Sequence, residues 1–315
     1  MDMYKLFEGL KALEISGKYY DICAEYAQGM MGEDDSGSFD QFVIMFFRSG
    51  SSDMQGYYRN VFAQRHKQLI EKLIEKGSGA KVLDACCGMG YDSILLALAG
   101  GDVIGVDLSD EKIETAEKLK KIFLVRHPEM KLKFFNRDIF SFFEEKAGRF
   151  SGYFDIIWVT EGISHIHPME EFLKTMKRCL KPEGYLIISE SNILNPIVRF
   201  NLRKRIATAY SSRDEMNKHK VDSYYLHKDK ALDPVTNSEV TMANERMVSH
   251  TWLSRILKKV GYKVQKTIFR TYLPAGISKY MGIQIINSIE SILQSVPFLK
   301  LMGIRYIVIA SAAGV

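Results

Sequence analysis

Three carboxylates and one glycine turn are the residues of this 315-residue chain whose types and spacing could do chemistry. The stretch Val82-Leu83-Asp84-Ala85-Cys86-Cys87-Gly88-Met89-Gly90-Tyr91-Asp92-Ser93 leaves a β-branched run, turns on its glycines and enters a helix-forming sequence. Glycines there admit left-handed dihedrals and let a ligand lie against bare backbone. A Gly-x-Gly turn alone is shared by several kinds of nucleotide binder and by plain strand-to-helix turns. Asp107 closes the next β-branched run, 17 positions after Gly90, where a carboxylate can accept hydrogen bonds from both hydroxyls of a ribose. Asp138, in Asn136-Arg137-Asp138-Ile139, follows a third run and could accept from an adenine amino group. Asp84 stands four residues before Gly88, and a carboxylate at that point repels a pyrophosphate and attracts an ammonium group. A ligand with ribose, adenine and a zwitterionic amino-acid end, without phosphate, suits all three. That ligand is S-adenosyl-L-methionine; NAD is disfavoured by Asp84.

The elements that must position these residues follow from two alternating periodicities. Short strand-like runs at 81–84, 102–107, 131–135, 154–159 and 184–189 are separated by helix-like stretches such as 110–123 and 168–180. Strands joined through helices of this length need crossover connections, hence a mostly parallel sheet covered on both faces. Ser109 precedes acidic Asp110 and Glu111 as a helix cap would, and Gly100-Gly101 closes the helix that begins near Tyr91. In Leu180-Lys181-Pro182-Glu183-Gly184 the proline stops a helix and the glycine is expected to supply the positive φ that turns into strand five. The alternation breaks over 193–249, a polar and basic block too long for a structureless loop. It resumes with a helix over 251–260 capped by Gly261, a strand over 262–269 and a last strand over 306–310.

With these motifs in place, the segment from Lys81 to about Ser191 resembles the core of the class I S-adenosylmethionine-dependent methyltransferases. The likeness rests on the 82–90 glycine motif, Asp107, Asp138, the strand-four motif Phe154-Asp155-Ile156-Ile157-Trp158-Val159 and the 180–184 entry to strand five. It implies an α/β, Rossmann-like, doubly wound sheet of seven strands, strand seven antiparallel between strands five and six. The expected domains are a helical N-terminal extension over 1–60, a core over 61–192, a cap insertion over 193–250, and a 251–315 segment carrying the last two strands and an inserted amphipathic helix at about 276–296. By the same resemblance, the backbone around Asp84, Ala85, Cys86, Gly88 and Gly90 cradles the methionine moiety and Asp107 holds the ribose. Leu108 packs on the adenine, Asp138 and Ile139 border its edge, and Thr160 and Glu161 line the floor below the sulfonium. Cys86-Cys87 departs from the commoner Gly-Cys and is read as packing.

Methyl transfer from a sulfonium needs alignment, exclusion of water and, for some acceptors, removal of a proton, so no obligatory triad is to be sought. His165, in Ser164-His165-Ile166-His167-Pro168 after strand four, is the candidate base, with a pocket-wall role as the alternative. His165 and His167 lack a third metal ligand at a usual spacing, and no metal is expected. Aromatic residues outside the core (Tyr57, Tyr58, Tyr210, Tyr224 and Tyr225) suit either an acceptor pocket or packing.

Composition bounds the rest. At 46% hydrophobic and 26% charged, the chain is too apolar to be disordered, and it has no apolar run approaching the ~20 residues of a membrane span. The start carries no secretory pattern, and four cysteines without CxxC spacing suit a cytoplasmic setting. Residues 1–60 carry net −5 and residues 251–315 net +8, a field that attracts anionic surfaces, although solvated helix faces give the same pattern. On one face of the 277–296 stretch, Met281, Ile285, Ile289, Ile292, Leu293 and Val296 form an apolar stripe. That helix is read either as packing on its own domain, as a lid over an apolar acceptor, or as a foot on a membrane surface. The function expected is transfer of a methyl group to O, N or C of a small, apolar or lipid-like acceptor. Nucleic acid is disfavoured because Thr160-Glu161-Gly162-Ile163 lacks the Pro-Pro-aromatic pattern of base-splaying enzymes. RNA- or protein-directed methylation and a non-catalytic cofactor-binding module remain the alternatives, and the oligomeric state is left open.

Overall fold

Strand residues that alternate between two buried faces require helices on both sides, and the computed structural model has them. It describes residues 52–273 and 281–312, apart from 147, 209, 219, 222–223, 227–230, 241–242, 247 and 282, together with isolated positions between 14 and 23. Its main elements are α1 (Ser52–Lys76), β1 (Lys81–Ala85), α2 (Tyr91–Leu98), β2 (Asp102–Asp107), α3 (Asp110–Arg126), β3 (Lys131–Asn136), α4 (Ile139–Glu145) and β4 (Phe154–Thr160). They continue through α5 (Met169–Cys179), β5 (Leu180–Ser191), α6 (Pro196–Thr208), α7 (Arg213–Lys218), α8 (His250–Val260), β6 (Tyr262–Arg270), α9 (Ile283–Ser295) and β7 (Arg305–Ala312).

The sheet runs β6-β7-β5-β4-β1-β2-β3. Strands β1 to β5 are parallel, and β7 lies antiparallel between β5 and β6. Val82, Val103, Ile156 and Trp158 face a core made with Leu69, Ile70 and Leu73 of α1, Ile94 and Leu95 of α2, and Leu119 and Phe123 of α3. Leu83, Ile157, Val159 and Leu186 face the other way, against Phe142 of α4, Phe172 and Met176 of α5, and Leu253 and Leu257 of α8. Neighbouring strand residues thus go to opposite layers, as the two-residue period of a strand demands.

Some expected boundaries move. Helix α1 runs unbroken across the expected boundary at residue 60, and its Leu69, Ile70 and Leu73 pack into the core. In the 180–184 turn the positive φ falls on Glu183 (φ 63), not on Gly184. Gly184 is needed for another reason: a Cβ there would sit 3.0 Å from Leu180 Cδ2, Lys181 O and Phe154 O. The inserted amphipathic helix is shorter than expected, Ile283–Ser295, and its stripe is not simply docked, because Ile286 is buried while Ile285 (53%) and Ile292 (60%) are exposed.

The 193–249 block folds locally. Helices α6 and α7 are followed by short strands in a three-stranded and a two-stranded sheet. Its entry is fixed by two carboxamides: Asn192 Nδ2 donates to Leu301 O and Gly303 O, both at 2.7 Å, and Asn195 Nδ2 donates to Met302 O at 2.6 Å. Of the aromatics noted in sequence, Tyr210 is buried, and the side chains of Tyr57, Tyr58, Tyr224 and Tyr225 lie outside the described residues.

Candidate functional site

At the C-terminal ends of β1, β2 and β4 the loops must leave a fully buried sheet, and polar groups there either find partners or face a ligand. The 85–90 turn makes this plain. Cys86 has φ 61, a left-handed conformation costly for any residue with a Cβ. Gly88 (φ 52) has nothing within 4 Å of the Cβ it lacks, so its surface lies open to a ligand. Gly90 differs: a Cβ would fall 2.4 Å from Phe134 Cζ, so this glycine also serves close packing of α2 against β3. Ala85 is fully buried and offers only backbone.

Asp84 stands next to the end of β1, one residue before Ala85. It is fully buried beneath the turn, with Ser93 Oγ donating to Oδ2 at 2.6 Å, and burial with Asp92 nearby raises its carboxyl well above the usual range. Its Oδ1 is buried and has no hydrogen-bond partner, which leaves an acceptor requiring a donor from above. Selection by surface charge is therefore replaced by an orphan acceptor under the turn.

Asp107 ends β2 and accepts from Gly88 N at 2.9 Å through Oδ2 and from Ser109 N at 3.0 Å through Oδ1. Each oxygen retains a lone pair for a hydroxyl. Asp138 caps α4, its Oδ2 accepting from Phe140 N and Ser141 N, so one oxygen is committed to structure. Cys86, Asp107, Leu108, Asp138, Ile139 and His165 line one cavity. Cavity volume here is about 70 Å³, and Val240 of the insertion is among the lining residues.

Three polar networks escaped the sequence reading. Arg65 of α1 donates through Nη2 to Thr160 Oγ1 at 2.5 Å and reaches Asp92 Oδ2 at 3.4 Å. Buried His66 holds Asp92 Oδ1 at 2.8 Å through Nε2, and Trp158 Nε1 donates to Oδ2 at 2.8 Å. Burial alone would raise the Asp92 carboxyl, but the His66 and Arg65 fields hold it below the ordinary range. In the insertion, fully buried Asp233 accepts from Asp138 N at 2.7 Å and Arg137 Nε at 3.1 Å, while Arg137 also pairs with Glu145. Thirdly, Glu190, buried on β5, lies with Glu161, Ser164, His165 and Asn201 on the wall of a second cavity of about 300 Å³. The one sequence signal for it was a carboxylate closing the apolar run of strand five, in Leu186-Ile187-Ile188-Ser189-Glu190.

Thr160 therefore carries Arg65, and Glu161 (φ 50) pairs with Arg305 of β7. His165 lines both cavities, so one side chain is common to the two. Among the described residues no cluster of three or more His, Cys, Asp or Glu is arranged to hold a metal ion.

The sequence model of a family described as "Methyltransferase domain" matches residues 54–267. The chain is 31% identical over 117 residues to a ubiquinone biosynthesis O-methyltransferase of Actinobacillus pleuropneumoniae, covering 36% of this chain and 47% of that one. It is 31% identical over 144 residues to a demethylmenaquinone methyltransferase of Lactobacillus johnsonii, covering 42% and 52%. The chain thus spans about half the length of these curated relatives. Among solved structures, magnesium protoporphyrin IX methyltransferase from Synechocystis PCC 6803 with bound SAH aligns with a TM-score of 0.49 at 15% identity, over 91% of this chain and 99% of that one.

Proposed function

Because a match over residues 54–267 takes in more than half of its length, the chain belongs to the methyltransferase-domain family of class I S-adenosylmethionine-dependent enzymes, and on that footing we propose that it methylates a small, lipid-like acceptor of the quinone-precursor kind. When bound, S-adenosyl-L-methionine supplies a methyl group already activated on a sulfonium, which an acceptor atom takes by in-line displacement. The residues present suit that cofactor. Asp84 Oδ1 is a buried acceptor awaiting a donor such as an ammonium, Gly88 offers bare backbone, and Asp107 can take ribose hydroxyls. Leu108 and Ile139 supply apolar faces for a base, with Asp138 at its edge. Arg65, hydrogen-bonded to Thr160 at the end of β4, is a cation suited to the anionic end of an amino acid.

One observation carries the reading: His165 is shared by a cavity bordered by the ribose- and adenine-type residues and by a larger cavity of about 300 Å³ beside Glu161. Its shared position favours a wall that aligns two ligands, with proton removal as the further role to be tested. The domain division proposed is a core beginning within α1 and an insertion over 193–249 that walls the acceptor side through Val198, Asn201 and Leu202.

Peripheral membrane contact is the finer part of the proposal. Leu194, Ile197 and Phe200 on one side, and Phe298 and Leu299 on the other, are exposed. The Asn192 and Asn195 bonds bring their two elements into one neighbourhood, and exposed Arg199, Arg203, Lys204 and Lys300 stand among them. Apolar residues within a basic surround suit an anionic lipid surface that would deliver a greasy acceptor. No helix among the described residues is long and apolar enough to cross a membrane. A cytoplasmic, peripherally attached protein is the setting that this reading favours.

Calorimetric titration with S-adenosylmethionine, S-adenosylhomocysteine and NAD tests the cofactor. Preference for NAD would sink the assignment. Incubation of cell extract with methyl-labelled cofactor, followed by mass spectrometry, identifies the acceptor, and label in RNA or protein alone would redirect it.

A further inference from the structure

Of the titratable groups around the larger cavity, Glu190 is the most deeply placed. It is 4% exposed, yet it lies on the cavity wall at the end of β5. Its oxygens accept from neutral donors, Ser191 N on Oε1 at 2.9 Å and Ser164 N on Oε2 at 3.3 Å, with the Ser164 side chain also bonded to it. None of these bonds neutralises the group, and no cation is bonded directly to it among the described residues. The nearest cation, Arg305 of β7, is paired with Glu161. Glu161 itself faces Glu190 from the end of β4, His165 shares the cavity wall, and Tyr306 stands opposite on β7. A carboxylate so placed is poorly solvated and free to accept one more proton.

Resting on the methyltransferase reading, we propose that Glu190 is the catalytic residue that takes the proton of the acceptor, and hence that the acceptor carries an ionisable hydroxyl of the phenol or enol type. In the step, the hydroxyl proton passes to a Glu190 oxygen while an electron pair on the hydroxyl oxygen forms the O–CH3 bond. The C–S bond breaks with its pair remaining on sulfur. S-adenosylhomocysteine and the methyl ether leave, and the proton on Glu190 is returned to water. No oxidant or metal is required. Burial, with Glu161 adding to it, brings the Glu190 carboxyl up to about 7, near the value best suited to accept and release a proton at neutral pH. His165 then aligns acceptor and cofactor rather than moving the proton.

The bland alternative is that Glu190 only positions the 162–168 loop by accepting from Ser164 N. The test separates the two with two acceptors, a prenyl-substituted phenol and a nitrophenol already ionised at the assay pH, each offered to the parent and to Glu190→Gln. Proton removal predicts a loss of about 100-fold or more with the phenol, disappearance of the rising limb near pH 7, and nitrophenol turnover within about two-fold of the parent. Equal losses with both acceptors, or none with the phenol, overturn the proposal. Carbon-13 NMR of glutamate-labelled protein with S-adenosylhomocysteine gives a readout without turnover. A carboxyl resonance titrating near pH 7, absent from Glu190→Gln, must shift when the phenol is added. If the parent methylates neither compound, an unmoved resonance overturns the proposal and a moved one upholds it. Failure of the methyltransferase reading would show separately, as an absence of heat when the parent is titrated with S-adenosylmethionine.

Discussion

Arg65 Nη2 lies 2.5 Å from Thr160 Oγ1, a single hydrogen bond that ties helix α1 to the end of the central strand β4. The same guanidinium leans on Asp92, which also gathers His66 and Trp158. Replacing Asp92 with Ala leaves His66 and Trp158 without their acceptor in a sealed interior. The expected loss is about 3–5 kcal/mol, read as a lowered urea midpoint. Arg65→Ala, at a partly exposed site, should cost less in stability and more in cofactor affinity. Calorimetry showing unchanged affinity in Arg65→Ala would remove Arg65 from the cofactor site.

The insertion is latched to the adenine side. Asp233 accepts from Asp138 N, Arg137 Nε, Val235 N and Thr236 N, and these bonds outweigh the effect of burial and hold its carboxyl low. Val240 of this hairpin lines the cavity of about 70 Å³, and a nucleoside is expected to enter as the hairpin gives. Asp233→Ala is expected to raise hydrogen exchange across 231–240 and to speed cofactor association measured by stopped flow. Unchanged association would show that entry does not pass this hairpin.

Cys86 and Gly162 form a packing pair. A Cβ on Gly162 would lie 2.7 Å from Cys86 Cβ and 3.0 Å from its Sγ. Gly162→Ala alone should destabilise the protein by about 1–3 kcal/mol. In a Cys86→Gly background, which also relieves the left-handed cysteine, most of that loss should vanish. Thermal midpoints of the two single variants and the double variant check this, and simple additivity would refute the contact.

Glu190 makes stability depend on pH. Its folded value near 7 exceeds the ordinary 4.5, so the folded protein holds the proton more tightly than the unfolded chain. The associated stability is complete below about pH 4.5 and is lost as pH rises through 7, at most roughly 3 kcal/mol. Glu190→Gln should therefore melt higher than the parent at pH 8 and lose this part of the slope. A parent whose stability does not fall over that window contradicts it.

Membrane contact makes a separate expectation. Phe200 and Phe298 of the proposed surface are exposed and can be changed to Asp without opening the core. Sedimentation with vesicles containing anionic lipid should be lost in that double variant and weakened by salt. Equal sedimentation of parent and variant, or none by the parent, excludes this surface.

The strands, the glycine turn and the cap residues Ser109 and Asp138 were legible because each is encoded within a few positions. The parallel pairing followed from crossover lengths, and the antiparallel place of the last strand from the family resemblance. Arg65, His66, Asp233 and Glu190 were not legible in the same way, because their partners lie 26 to 96 residues away and no periodicity links them. Asp84 shows the opposite failure: its position in the motif was right, but only the fold reveals that Ser93 and the turn bury it. The stripe on α9 failed for a third reason. Helical spacing groups residues on a face without saying whether anything covers it, and here Ile286 rather than Ile285 turns inward.

His165 belongs to two walls at once, and equilibrium binding has to reflect that. An occupant of either chamber that moves the imidazole alters the affinity of the other chamber, and by linkage the factor is the same in both directions. Final occupancy is then the same whichever guest arrives first.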